Sequence, residues 1–99
     1  MHIREFQQLI DRMYSDRDRQ RGSAKTVLWL SEEIGELASS IAEQDRENLP
    51  TEFADVFAWL ITLANVEGID LEKAVLAKSV QTVSPGCGQT VCVCTEKMT

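Results

Sequence analysis

Five acidic residues stand at spacings that could do chemistry: Glu32, Glu33 and Glu36 form an E-E-x-x-E run, and Glu52 and Asp55 an E-x-x-D run. Residues three apart on a helix are surface neighbours, so Glu33/Glu36 and Glu52/Asp55 would each project two carboxylates from one flank. Four such charges meeting in one cleft repel one another and need a cation between them. A hard divalent ion with oxygen ligands meets that need. Magnesium suits it, since it keeps waters and completes its octahedron with phosphate oxygens; manganese could take its place. The competing reading is that each pair is an ordinary solvated helix face. Two pairs on consecutive helices, both beside the apolar face, favour a site.

Apolar periodicity supplies the helices that must position these groups. Ile3, Phe6, Leu9, Ile10, Met13 and Tyr14 predict a first helix from about Ile3 to Ser15. The polar stretch from Asp16 to Gly22 reads as a connection. Ser23 is placed to cap a second helix carrying Val27, Leu28, Leu30, Ile34, Leu37, Ala38 and Ile41, fraying near Glu47-Asn48. Pro50 opens a third helix, through Phe53, Val56, Phe57, Leu60, Ile61, Leu63 and Ala64, that Gly68 stops. Asp70 caps a short fourth helix ending near Lys78 or Val80. With Leu30 taken as the midline of the second helix, Glu33 and Glu36 fall roughly 60° and 120° to one side, and Glu32 near the solvent face. With Leu60 as the midline of the third, Glu52 and Asp55 fall roughly 80° and 140° to one side. The fold class is all-α, a bundle of about four helices.

These residues, in their order and flanks, resemble the MazG-like nucleoside triphosphate pyrophosphohydrolases of the all-α NTP pyrophosphatase superfamily. The matching text is L-S-E-E-I-G-E-L-A from Leu30 to Ala38, then Glu52 to Leu60, then Leu63-Ala64-Asn65 and Gly68-Ile69-Asp70-Leu71. The likeness runs from about Phe6 to Lys78. It implies magnesium-dependent hydrolysis of a nucleoside triphosphate to monophosphate and pyrophosphate, in house-cleaning or nucleotide-pool control. It further implies attack at the α-phosphorus and assembly as a dimer or tetramer. Carried over, Glu33, Glu36, Glu52 and Asp55 would be the metal ligands, with Glu33 and Glu36 also catalytic. Glu32 would orient the attacking water or contact a neighbouring subunit.

A triphosphate needs more positive charge than one ion supplies. Arg17, Arg19, Arg21 and Lys25 cluster before the second helix, where Arg21 and Lys25 are candidate phosphate contacts. The alternative is a solvated loop whose arginines pair with Asp16 and Asp18. Lys78 matches a lysine common at that point in the resembled family. Trp59, one turn past Asp55, could stack on a base, as could Trp29; for both, packing at a subunit interface is the plainer reading.

Residues 1–80 are read as the helical domain and 81–99 as a cysteine-containing tail. There Cys87, Cys92 and Cys94 form a candidate but incomplete zinc site, since zinc wants four ligands. The similar tail of some MazG-like proteins begins C-P-x-C, where this chain has Ser84 in place of the first cysteine. A missing ligand could come from His2 or another chain, and a weakly structured tail is the competing reading.

Composition bounds the rest. At 99 residues, 43% hydrophobic and 26% charged, the chain suits one globular domain. A core of this size is marginal alone, which favours a homo-oligomer. The net charge of -6 argues against a nucleic-acid polymer as partner. The start shows no apolar signal region and no run reaches membrane-spanning length, so the expected setting is cytoplasmic, away from membranes. The alternatives to an enzyme are a non-catalytic metal- or nucleotide-binding module and a protein that docks a partner through its cysteine tail.

Overall fold

The computed structural model describes residues 1–78 and 86–96. The described residues contain four helices and no strand: α1 (Ile3–Arg21), α2 (Ser23–Ala42), α3 (Leu49–Glu67) and α4 (Leu71–Lys78). Val80 and Ser84 lie outside the described residues. None of the described helices is long and apolar enough to cross a membrane.

The first helix runs a turn and a half past its expected end at Ser15. Polarity was the misleading signal, because Arg and Gln are good helix formers and no breaker precedes Gly22. The extension is tied down by its own charges: Arg19 donates to Asp11 at 3.0 Å and Arg21 to Asp18 at 2.6 Å. Gly22, at φ 84°, then turns the chain directly into α2. The cap of α2 is therefore Gly22 and not Ser23, which is already helical. No side chain caps α2; buried Thr26 instead bonds back within the first turn, its hydroxyl donating to the Gly22 carbonyl at 2.7 Å.

α2 stops at Ala42, earlier than expected, and a tight turn through Gln44 in left-handed conformation (φ 56°) leads to α3. Pro50 sits in the first turn of α3, and Gly68, at φ 70° and ψ 30°, ends it, with the Ile69 amide returning to the Ala64 carbonyl at 2.8 Å. Asp70 caps α4 by accepting from the Lys73 amide at 3.1 Å. Arg4 reaches Asp70 and Glu72 across this corner.

α3 is the central helix, with α2 packed along one side and α1 along the other. The buried apolar set is small: Ile10, Ile61 and Ala64, with Ile61 and Thr26 fully enclosed. Buried Gln7 fastens α1 to the α3–α4 corner. Its side-chain amide donates to the Ile69 carbonyl at 2.6 Å and accepts from the Leu71 amide at 3.0 Å, while Asn65 donates to the Gln7 carbonyl at 3.2 Å.

The expected midline of α2, Leu30, lies within the seam but toward its edge, and that of α3, Leu60, lies outside it. α2 turns Thr26, Leu30, Glu33, Leu37 and Ser40 inward, and leaves Val27, Ile34 and Ile41 about half exposed. Leu60, the expected centre of α3, is 40% exposed and lies in an open stripe with Phe53 and Phe57. Each apolar arc is wider than the neighbour covering it, so the seam is rotated toward the carboxylates.

Candidate functional site

The α2–α3 seam is antiparallel, and its register follows from residue spacing. Trp29, Glu33 and Glu36 step down α2 at i, i+4 and i+7, while Trp59, Asp55 and Glu52 step back along α3 by the same intervals. The tryptophans meet edge to face at 5.5 Å between ring centroids. One to two turns away the acids meet: oxygens of Glu33, Glu36 and Glu52 all lie within 4.8 Å of one another. Three of the four expected ligands are thus gathered. Asp55 stands outside that tight group, half-buried, but close enough for its charge to act on both Glu33 and Glu52.

The electrostatics of this cluster are unrelieved. No ion pair among the described residues reaches Glu33, Glu36, Glu52 or Asp55. Partial burial raises the Glu33 carboxyl above the ordinary range, reinforced by the charges of Glu36 and Asp55, a hydrogen bond with Glu36, and the charge of Glu52. Glu52 is raised by desolvation first, then by Glu36, Asp55 and Asp45. One oxygen each of Glu33 and Glu52 is buried without a hydrogen-bond partner. Buried polar atoms are rarely left so, and two carboxylate oxygens orphaned together have the donor chemistry of a hard cation site. Glu36 is exposed, so the cluster opens to solvent on its side. Glu32 is exposed and outside the group.

Above the acids, Trp29 and Trp59 line a cavity of about 390 Å³ with Ile10, Tyr14, Arg17, Asp18, Arg21, Ala58 and Thr62. Arg21 is not a free loop cation as expected. Its side chain is nearly buried, bound to Asp18, donating to the Thr26 hydroxyl at 3.1 Å, with its guanidinium 4.9 Å and 5.1 Å from the Trp29 and Trp59 rings. The pairing with Asp18 matches the alternative to a phosphate contact, but it is made at a nearly buried helix end and not in a solvated loop. Lys25 is exposed, its Nζ 5.3 Å from the Trp29 ring. Lys78 closes α4 and is exposed. Sequence reasoning missed Asp18 as the buried anchor of this corner; its spacing of three from Arg21 and four from Tyr14 was the available signal.

The tail brings Cys87, Cys92 and Cys94 together, their sulfurs all within 4.8 Å. His2 is not among them; it sits before α1, its amide donating to Glu5.

No curated protein matches the chain. A family model, the MazG nucleotide pyrophosphohydrolase domain, matches residues 21–86, from the last residue of α1 through α4 and beyond. The match spans both acidic motifs and the two tryptophans, and stops just short of the cysteines. The chain therefore belongs to the MazG nucleotide pyrophosphohydrolase domain family.

Proposed function

We propose that the protein hydrolyses nucleoside triphosphates to the monophosphate and pyrophosphate, with magnesium held by Glu33, Glu36, Glu52 and Asp55. The observation that carries this reading is the convergence of Glu33, Glu36 and Glu52, with two buried carboxylate oxygens lacking any partner. Manganese fits the same oxygen donors. When bound there, a divalent ion neutralises the triphosphate and stabilises charge on the departing pyrophosphate.

The chain's own groups do the remainder. Glu33 and Glu52 lie inside the seam and fix the depth at which a cation can sit, while exposed Glu36 faces the side from which a substrate arrives. Glu33, inside the carboxylate cluster, is placed to orient or deprotonate the attacking water. Glu32, on the solvent side, orients that water or meets a neighbouring subunit. Trp59 and Trp29 offer ring faces and edges to a base one turn from the acids. Arg21 acts here by holding the two rings in place, and Lys25 and Lys78 supply positive charge to the phosphates.

We further propose that the protein works as a dimer or tetramer in the cytoplasm, on the nucleotide pool. The open stripes of α2 and α3 support self-association: Val27, Ile34, Ile41, Phe53, Phe57 and Leu60 are each at least 40% exposed. On an antiparallel pair those stripes fall on the same side, as one apolar face. Residues 1–80 form the catalytic domain in this reading, and 81–99 an appendage.

The test is pyrophosphate release from a panel of nucleoside triphosphates with magnesium. Activity is expected, and Glu36→Gln should reduce kcat/KM at least about 100-fold. Tight nucleotide binding with no product would show instead a module without turnover.

A further inference from the structure

The cysteine cluster lies outside the matched family segment and outside the acidic site, and it has the makings of a second metal centre. We propose that Cys87, Cys92 and Cys94 form a three-thiolate site for a soft d10 metal ion, zinc or copper(I).

Three observations converge. The first is distance. A zinc–sulfur bond of about 2.3 Å places the sulfurs of a tetrahedral site roughly 3.8 Å apart. The three sulfurs here already lie within 4.8 Å of one another, so a shift of about an ångström closes the shell. The second is hydrogen bonding: the Cys94 amide donates to the Cys92 sulfur at 3.3 Å. An N–H aimed at sulfur stabilises the thiolate, the form that binds metal. The third is backbone. Gly88 holds φ 72°, a conformation that side chains rarely adopt, and nothing lies within 4 Å of where its Cβ would stand. Its role is therefore to bend the chain after Cys87, so that the C-x4-C-x-C spacing curls back on itself.

The donor set selects the ion. Thiolates prefer soft cations and reject magnesium, so the two centres of this chain sort metals by ligand chemistry. The acidic seam takes a hard ion and the tail a soft one. Three thiolates complete a trigonal copper(I) shell, whereas zinc takes a fourth ligand. Cys87 and Cys94 are half-buried and Cys92 is exposed. Binding displaces the thiol protons to solvent, so uptake is accompanied by proton release.

The test uses the whole chain, reduced and stripped of metal, titrated with cadmium(II) as a spectroscopic stand-in for zinc. A sulfur-to-cadmium charge-transfer band should grow to one equivalent per chain. Zinc and copper(I), each titrated alone into the stripped chain against a competing chelator, should bind at one equivalent per chain; failure of both overturns the proposal. Cys92→Ser and Cys94→Ser should each weaken binding at least tenfold, while Glu52→Gln leaves the band unchanged. No band under reducing conditions overturns the proposal. So does saturation at half an equivalent, which would mean a metal bridging two copies, or a band that survives both serine variants. Far-ultraviolet circular dichroism of each variant distinguishes lost ligands from lost helices.

Discussion

At the scale of single residues, the acidic site is a conflict that the fold tolerates. Glu33 and Glu52 are each raised in proton affinity by desolvation and by like charges. The native metal-free chain then binds more protons than the unfolded chain between the ordinary carboxylate value near 4.5 and the raised native values. In that window its stability must fall as pH rises, levelling off once both states are ionised. Denaturation at several pH values with a chelator present should show this slope. Magnesium should flatten it, because ligation compensates the ionised form. Glu33→Gln should raise metal-free stability at neutral pH while abolishing the magnesium effect on melting. A variant that loses stability would instead mean that Glu33 holds the seam together.

At the scale of helices, the long α1 and its attachment to the α3–α4 corner set the frame behind the site. Gln7 supplies two hydrogen bonds to backbone groups that flank the corner, and leaves the Leu71 amide without its acceptor if removed. Gln7→Ala should therefore cost about 1–3 kcal/mol, read from the urea midpoint. The same substitution should loosen α4 before α2 or α3, detectable as faster amide exchange in residues 71–78. Arg21 is the counterpart at the other end of α1, joining Asp18, Thr26 and both tryptophans. Its substitution by alanine should raise KM for nucleotide more than it lowers kcat, since its contacts shape the aromatic cavity and do not touch the acids.

At the scale of the whole molecule, the shortage of core is the governing fact. Among the described residues only Ile10, Ile61 and Ala64 are buried and apolar, while two apolar stripes stay open. A chain this small gains most by covering such a face with a copy of itself. Light scattering should report a dimer or larger species, and Ile34→Lys should shift it toward monomer and lower the melting temperature. Unchanged assembly after that substitution would place the interface elsewhere. Self-association of this kind would sit on the opposite side of the seam from exposed Glu36, leaving substrate access clear.

Much of this was legible in the sequence, for physical reasons. Helix punctuation by Pro50, Gly68 and Asp70 was readable because proline, left-handed glycine and a capping carboxylate act locally, within a few residues. The acid pairs were readable because i, i+3 spacing on a helix is invariant to what surrounds it, and the family resemblance rests on the same residues that the family match covers. The end of α1 was misjudged because charge pairs such as Arg19 with Asp11 and Arg21 with Asp18 keep a polar segment helical, and only packing identifies Asp18 as buried. Likewise, an apolar arc wider than one contact does not say which part faces the partner helix. Tertiary structure alone decided that the seam turns toward the glutamates, putting Glu33 inside it and leaving Leu60 out. The sequence determined which helices form and which carboxylates they carry, because those are short-range matters. The angle at which two helices share one crowded apolar surface is a long-range compromise, and only the folded chain resolves it.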